Sequence, residues 1–368
     1  MTWLARPQRA EYVAGHRDTI IVTQGQSDFE LWADGIRRDV DGVLETFFEA
    51  KLAEGERLSS RATELVEEVR NLTMRGGKRL RPIVTAAAFR AVTDSPNVQE
   101  TLEVGAALEL LQTYLLIHDD WMDQDKERRG GPAVHFSFEQ AHRDAHLGAS
   151  LGILAGDLAC TYGWELFLNG LFPAARRDEG LRRFVRIQKE VFAGQQLDLM
   201  ADENVERMHE LKTGSYTTEG PAALGGLLAN ASPPALDALE RWATPLGVAF
   251  QLRDDLLSTF KTSHETGKPG DDLRHGKHNA VVAAFHALDA TTEAKEAIQR
   301  VWGRLEAPEA EVEQARNALE DSGARAAVES RLDDLVAASN AALASGPFTE
   351  DGKAVLAEVT LRLTHRGT

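Results

Sequence analysis

The run VGAALELLQTYLLIHDD, residues 104–120, constrains this chain more than any other stretch. It is apolar on most faces of a helix and then ends in two aspartates. A helix apolar all round has to be enclosed by other helices. GASLGILAGDLACTYGWELFL, residues 148–168, reads the same way, and ATELVEEVRNLTM, from Ala62, carries a helical apolar stripe at positions 62, 65, 66, 69 and 72. AVESRLDDLVAASNAALASG, from Ala327, is amphipathic and is expected to close the bundle. The 12 prolines fall mostly in expected connections, among them Pro82, Pro96, Pro132, Pro173, Pro233-Pro234, Pro269 and Pro308. Strand patterns are scarce, and IIVT near residue 20 is the best candidate. The expected fold is all-α. It has an irregular arm over residues 1–28 and one helical domain over 29–368. The polar, Gly-, Lys- and Asp-rich stretch from Thr262 to Asn279 reads as a long loop, and loops of that length are usually functional.

With 43% hydrophobic residues, 368 positions supply a large core. The formal net charge of −17 argues against nucleic-acid or anionic-membrane binding. It leaves room for anionic small substrates at a locally basic site. Cys160 is the sole cysteine, so no intrachain disulfide can form and a reducing compartment is expected. The N-terminus shows no continuous apolar signal segment, and no run is apolar enough to span a membrane, so the expected location is the cytoplasm.

Two acidic clusters carry the chemistry. In HDDWMDQDKERRG, Asp119 and Asp123 lie four apart on one helix face, with Asp120 beside them. Carboxylates so crowded need a counter-cation, and oxygen-only ligands suit Mg²⁺ or Mn²⁺. The plain alternative is a solvated acidic helix end. In FQLRDDLLSTF, Asp254 and Asp255 follow Gln251 on a largely apolar helix, and Ser258 stands where a third carboxylate is expected. GQQLDL offers Gln195 and Asp198, three apart. Opposite in sign are GGKRLRP, with Lys78, Arg79 and Arg81 after a glycine pair, then Arg128-Arg129, Lys212-Thr213, Lys268 and Lys277. Arginine forks and lysine point charges suit phosphate oxygens. Any one of these cations could be a solvated face. Together with the carboxylates they read as diphosphate binding through divalent metal.

In order and spacing, GGKRLRP, ELLQTYLLIHDDWMDQDKERRGGPAVH, GD at 156–157, GQQLD, KTGSYT, FQLRDDLLSTF and TGKPGDDLRHGK resemble the trans-isoprenyl diphosphate synthases, or polyprenyl synthetases. The resemblance runs from about Leu31 to the region of Val282. It implies a helical bundle of the isoprenoid synthase type around a central cavity, Mg²⁺ with Mn²⁺ as a substitute, and usually a homodimer. It also implies condensation of isopentenyl diphosphate with an allylic diphosphate. Carried over by position, Asp119, Asp120 and Asp123 form the first metal motif, with Asp119 and Asp123 the direct ligands. Asp254 leads the second with Asp255 in support, and Asp198 joins Gln195 at the allylic site. Arg128, Lys212 and Lys268 are assigned to the allylic diphosphate, with Lys277 a further substrate-binding cation. Lys78, Arg81, Gln112 and Arg129 are assigned to isopentenyl diphosphate, and Thr213 and Gln251 to the developing carbocation.

Tyr114 and Leu115, five and four positions before Asp119, occupy the family's chain-length positions. Tyr114 with the short DDxxD motif looks like enzymes that stop at C20, while Leu115 keeps C15 open. Ser258 departs from the family pattern, and a water is expected to replace the missing carboxylate. Asp125 adds an acid to the first motif. The rival functions are a class I terpene cyclase, which lacks a GGKRLRP-type site, and a non-catalytic subunit of a heteromeric synthase.

Overall fold

The computed structural model describes residues 27–93, 95–260 and 272–364. Lys268, the IIVT stretch and most of the N-terminal arm lie outside the described residues. Helices follow one another almost without interruption: α1 (Asp28–Leu58), α2 (Ala62–Met74), α3 (Leu80–Val92), α4 (Leu102–Met122), α5 (Val134–His142), α6 (Ala145–Leu168) and α7 (Arg177–Leu199). Then α8 (Val205–His209), a π-helical stretch over Glu210–Glu219 and α9 (Gly220–Leu228) form one rod. The chain continues as α10 (Pro233–Phe260), α11 (Asp272–His275), α12 (Ala280–Ala287), α13 (Thr292–Val301), α14 (Glu309–Asp321), α15 (Ala324–Ser345) and α16 (Glu350–Thr364). The fold is all-α.

Local chemistry starts and stops these helices. Ser27 and Glu30 form a reciprocal capping box at α1, and Asp144 caps α6 through the N–H groups of His146 and Leu147. Pro82 lies in the first turn of α3 and Pro233-Pro234 open α10, positions where a missing N–H costs little. Pro245 sits inside α10. Near it the carbonyls of Trp242 and Ala243 accept hydroxyls from Ser339 (2.9 Å) and Thr218 (2.9 Å).

As its sequence requires, α4 is enclosed. Residues 104–113 are all buried, and α4 packs chiefly against α6. A first apolar core joins α1–α7, α9, the N-terminal part of α10 and α16. A second joins α8, the C-terminal part of α10 and α12–α15. Trp242, fully buried in α10, donates its indole N–H to Thr360 of α16 (3.0 Å). Two expectations need correction. The segment from Ala327 does not close the bundle: α16 follows it, packs on α3 and pairs Arg362 with Glu30 of α1. Nor is the stretch before Asn279 wholly loop, because Asp272–His275 forms a helical turn.

Candidate active site

Two carboxylate groups and two cation groups face the space between α4, α7, the π-helical stretch and α10. On α4, Asp119 accepts hydrogen bonds from Gln195 of α7 (3.0 Å) and Lys212 of the π-helical stretch (3.4 Å). Lys212 also donates to Asp198 of α7. Burial opposes charge on Lys212, but Asp119 and Asp198 outweigh it and hold the ammonium firmly protonated. One turn after Asp119, Asp123 pairs with Lys277 (3.3 Å). Burial and then Asp119 raise the Asp123 carboxyl above its ordinary value.

Asp120 has a different setting. It is fully buried and accepts from Arg128 Nε (2.6 Å), and burial pushes its pKa up to about 6 against the pull of that guanidinium. Arg128 also reaches Asp125 (3.3 Å). The sequence had assigned Asp120 to metal and Arg128 to a diphosphate. Here the two bond each other. A short hairpin aims this arginine pair: Glu127–Arg128 ladders with Gly131–Pro132, and Arg129 (φ 53°) and Gly130 (φ 72°) make the turn between them. Positive φ at both turn positions matches the twist of a two-residue hairpin.

Around Asp254 and Asp255 the carboxylates also divide. Asp255 is 4% exposed and accepts from Gln251 Nε2 (3.0 Å) and from the N–H of Ala280 at the start of α12 (2.8 Å). Burial pushes it up to about 7, opposed by those two donors. His209 Nε2 lies 3.3 Å from it, and burial lowers that imidazole to about 4, so it is neutral. Gln251 in turn accepts from Thr213 (3.1 Å). Asp254 is half-buried on the same turn of α10. The Ser258 hydroxyl donates to Asp272, which also accepts from Asn279 Nδ2 (3.0 Å).

GGKRLRP forms the second cation group. Gly76 (φ 95°) and Gly77 (φ 145°) take conformations that a side chain would oppose, and Arg79 follows at φ 47°. Arg79 is buried and bonds Asp41 (2.8 Å), Glu109 (2.8 Å) and the carbonyl of Thr73 (2.9 Å), which fixes the loop to α1, α2 and α4. Arg81 donates to Thr217 (2.9 Å) and lies 4.0 Å over the Tyr216 ring. Arg129 packs against Gly77 and donates to the Leu72 carbonyl (3.2 Å). Burial lowers the Arg129 pKa; Arg79, Arg81 and Arg128 lower it further, and Glu109 opposes them. Lys78 is exposed beside them. Gln112 Oε1 and Arg81 Nε are buried and meet no hydrogen-bond partner among the described residues. Unmatched polar atoms in a basic recess suit an incoming anion.

Between the acidic group and the core lies a cavity of about 90 Å³ lined by Tyr114, Leu115, His118, Phe192, Lys212 and Tyr216. Tyr114 meets His118 (4.8 Å) and Phe192 (6.1 Å) edge-on. Sequence reasoning missed Glu109, His209, Asp272 and Asn279. Glu109 is a lone acid in an apolar run, whereas His209, Asp272 and Asn279 lie among other polar residues; only the fold gives each its partner.

Residues 62–319 match the polyprenyl synthetase family. The chain belongs to that family. It is 31% identical over 267 residues to a short chain isoprenyl diphosphate synthase of Methanocaldococcus jannaschii, covering 70% of this chain and 77% of that one. To a farnesyl diphosphate synthase of Geobacillus stearothermophilus it is 34% identical over 242 residues, with 60% and 73% covered. In structure it resembles geranylgeranyl pyrophosphate synthase of Corynebacterium glutamicum, solved in complex with isoprenyl diphosphate and magnesium. The TM-score is 0.83 and the identity 31%, covering 92% of this chain and all of that one (100%). Among the described residues no helix is long and apolar enough to cross a membrane.

Whether the residues fit a divalent ion is a matter of donor chemistry. Asp119, Asp123, Asp198 and Asp254 offer oxygen only, with lysines interleaved. Among the described residues no three His, Cys, Asp or Glu side chains converge into a ready-made metal cage. Mg²⁺ takes one or two carboxylates and completes its shell with water and substrate phosphates. The arrangement fits an ion that arrives with a diphosphate.

Proposed function

We propose that the protein is a short-chain prenyltransferase that condenses isopentenyl diphosphate with an allylic diphosphate to give geranylgeranyl diphosphate. The observation that supports this best is the pairing of an oxygen-rich carboxylate group with a separate arginine recess, one on each side of Thr213, Tyr216 and Thr217. A one-substrate cyclase has no use for the second recess.

Asp119, Asp123, Asp198 and Asp254 would hold divalent metal, Mg²⁺ or in its place Mn²⁺. When bound, the metal would neutralise charge that builds on the leaving diphosphate. Lys212 and Lys277, already beside these carboxylates, turn to the allylic diphosphate, with Lys268 from outside the described residues. Asp120 is held inward by Arg128 and so acts by fixing the hairpin rather than as a ligand. Asp255 likewise fixes Gln251 and the start of α12. Arg81, Arg129, Lys78 and Gln112 bind the diphosphate of isopentenyl diphosphate. As the allylic C–O bond breaks, the Thr213 and Gln251 oxygens face the developing cation, and the apolar cavity keeps water from it. The double bond of isopentenyl diphosphate then attacks C1, and a proton passes to the departed diphosphate.

Tyr114 and Leu115 line the cavity where the growing chain would end, which supports a C20 limit. A homodimer is favoured by apolar side chains left exposed on α6 and α7: Leu154 (52%), Phe192 (46%) and Leu199 (55%). Incubation with Mg²⁺, isopentenyl diphosphate and dimethylallyl, geranyl or farnesyl diphosphate tests the reading. Mass spectrometry should find a C20 diphosphate from each primer. A hydrocarbon formed from the allylic diphosphate alone would favour the cyclase.

A further inference from the structure

Beneath the cavity floor at Tyr114, α4, α6 and α7 pack together, and the side chains between them have no part in the chemistry above. α4 and α7 run in the same direction, because Asp119 meets Gln195 and Tyr114 meets Phe192. α6 runs the other way: His118 Nε2 lies 3.1 Å from the carbonyl of Ile153, and Gly163 faces Ala107. Side chains from the three helices therefore form layers one helical turn apart.

Tyr114 and Phe192 make one layer. In the next lies Gln188, buried among apolar groups. Its Oε1 accepts from Trp164 Nε1 (3.3 Å) and Cys160 Sγ (3.6 Å), and its Nε2 donates to the Phe184 carbonyl (3.3 Å). Trp164 packs edge-on against Phe184 (4.7 Å), which stacks on Phe167 (4.2 Å), so packed aromatic rings lie beneath it. A glutamine at this depth is tolerated because both ends of its amide are bonded. Those bonds fix the indole between α6 and α7.

We propose that Trp164, positioned by Gln188, is a second floor of the product channel, one layer below Tyr114. The inference rests on the prenyltransferase reading. A helical turn advances about 5.4 Å, and the four main-chain carbons of an isoprene unit advance about 5 Å at single-bond spacing. Removing Tyr114 thus makes room for one more five-carbon unit before the chain meets the indole.

The test is the longest product formed from Mg²⁺, isopentenyl diphosphate and farnesyl diphosphate by the parent, Tyr114→Ala and Tyr114→Ala/Trp164→Ala. The single variant should exceed the parent by one unit, and the double should add at least one more. Three outcomes overturn the second floor while leaving the condensation reading intact: Tyr114→Ala running two or more units past the parent, Tyr114→Ala keeping the parent's product, or the double stopping where the single stops. A parent that makes no condensation product removes the reading and the inference together. Circular dichroism checks folding. Should the double variant be unfolded, Tyr114→Ala/Gln188→Leu, which frees the indole without deleting it, must pass the single variant's limit or the inference fails.

Discussion

Asp254 and Asp255 are neighbours in the chain with different surroundings. Asp255 is bonded into α12 and Gln251, whereas Asp254 is half-buried on the same turn. Asp254→Ala should therefore lower the condensation rate by on the order of 10²–10³, the scale of losing one group that stabilises transition-state charge. A rate within a few-fold of the parent would contradict the assignment. Ser258 is also explained by its neighbour, since Asp272 brings a carboxylate from the next segment to the place a third aspartate would fill. Ser258→Asp would set two carboxylates face to face and should lower the melting temperature. The exchange Ser258→Asp/Asp272→Ser should recover most of that loss, as scanning calorimetry can check. Nothing in FQLRDDLLSTF alone reveals Asp272, because the two meet only through the fold. Glu219, away from the reaction, gives a pH test. Burial pushes it up to about 7 although Arg183 opposes the shift. An acid with a raised folded pKa binds extra protons when folded, so its contribution falls as pH rises from its unfolded value toward 7. Relative to Glu219→Gln, the parent should lose stability between pH 5 and 7. One group can contribute at most about 1.4 kcal/mol per pH unit. A pH-independent difference would refute the shift.

At the level of elements, helix positions were legible where periodicity was strong. α2, α4 and α6 lie where their apolar patterns put them, since a stripe or an all-round apolar run can be satisfied only by packing. Helix type and short turns were not legible. KTGSYT is π-helical, and the hairpin at Arg129–Gly130 spans too few residues to show a period. The π-helical stretch carries Lys212 between Asp119 and Asp198, and π-helical turns are frequent at functional sites. Its place depends on Gly194 of α7, where an added Cβ would stand 2.2 Å from the Lys212 backbone nitrogen. Gly194→Ala should move this backbone and reduce turnover at least tenfold, more than it reduces melting temperature would suggest. Equal turnover would show that the crossing tolerates the displacement.

For the whole molecule, a net charge of −17 coexists with a basic recess built from Arg79, Arg81, Arg128 and Arg129. Global charge could not locate this site, because its cations come from two separate segments, GGKRLRP and the hairpin, that meet where Arg129 packs against Gly77. The chain's acidity and the diphosphates' affinity are reconciled locally, by lysines and arginines that sit among carboxylates suited to metal. We propose that condensation of the two diphosphates depends on that metal. The most direct test is the rate of geranylgeranyl diphosphate formation from isopentenyl and farnesyl diphosphates, measured in EDTA and then across a Mg²⁺ titration. The expected result is no product in EDTA and a saturable rise with Mg²⁺. Product formation that ignores Mg²⁺, or no condensation at any Mg²⁺ concentration, would contradict it.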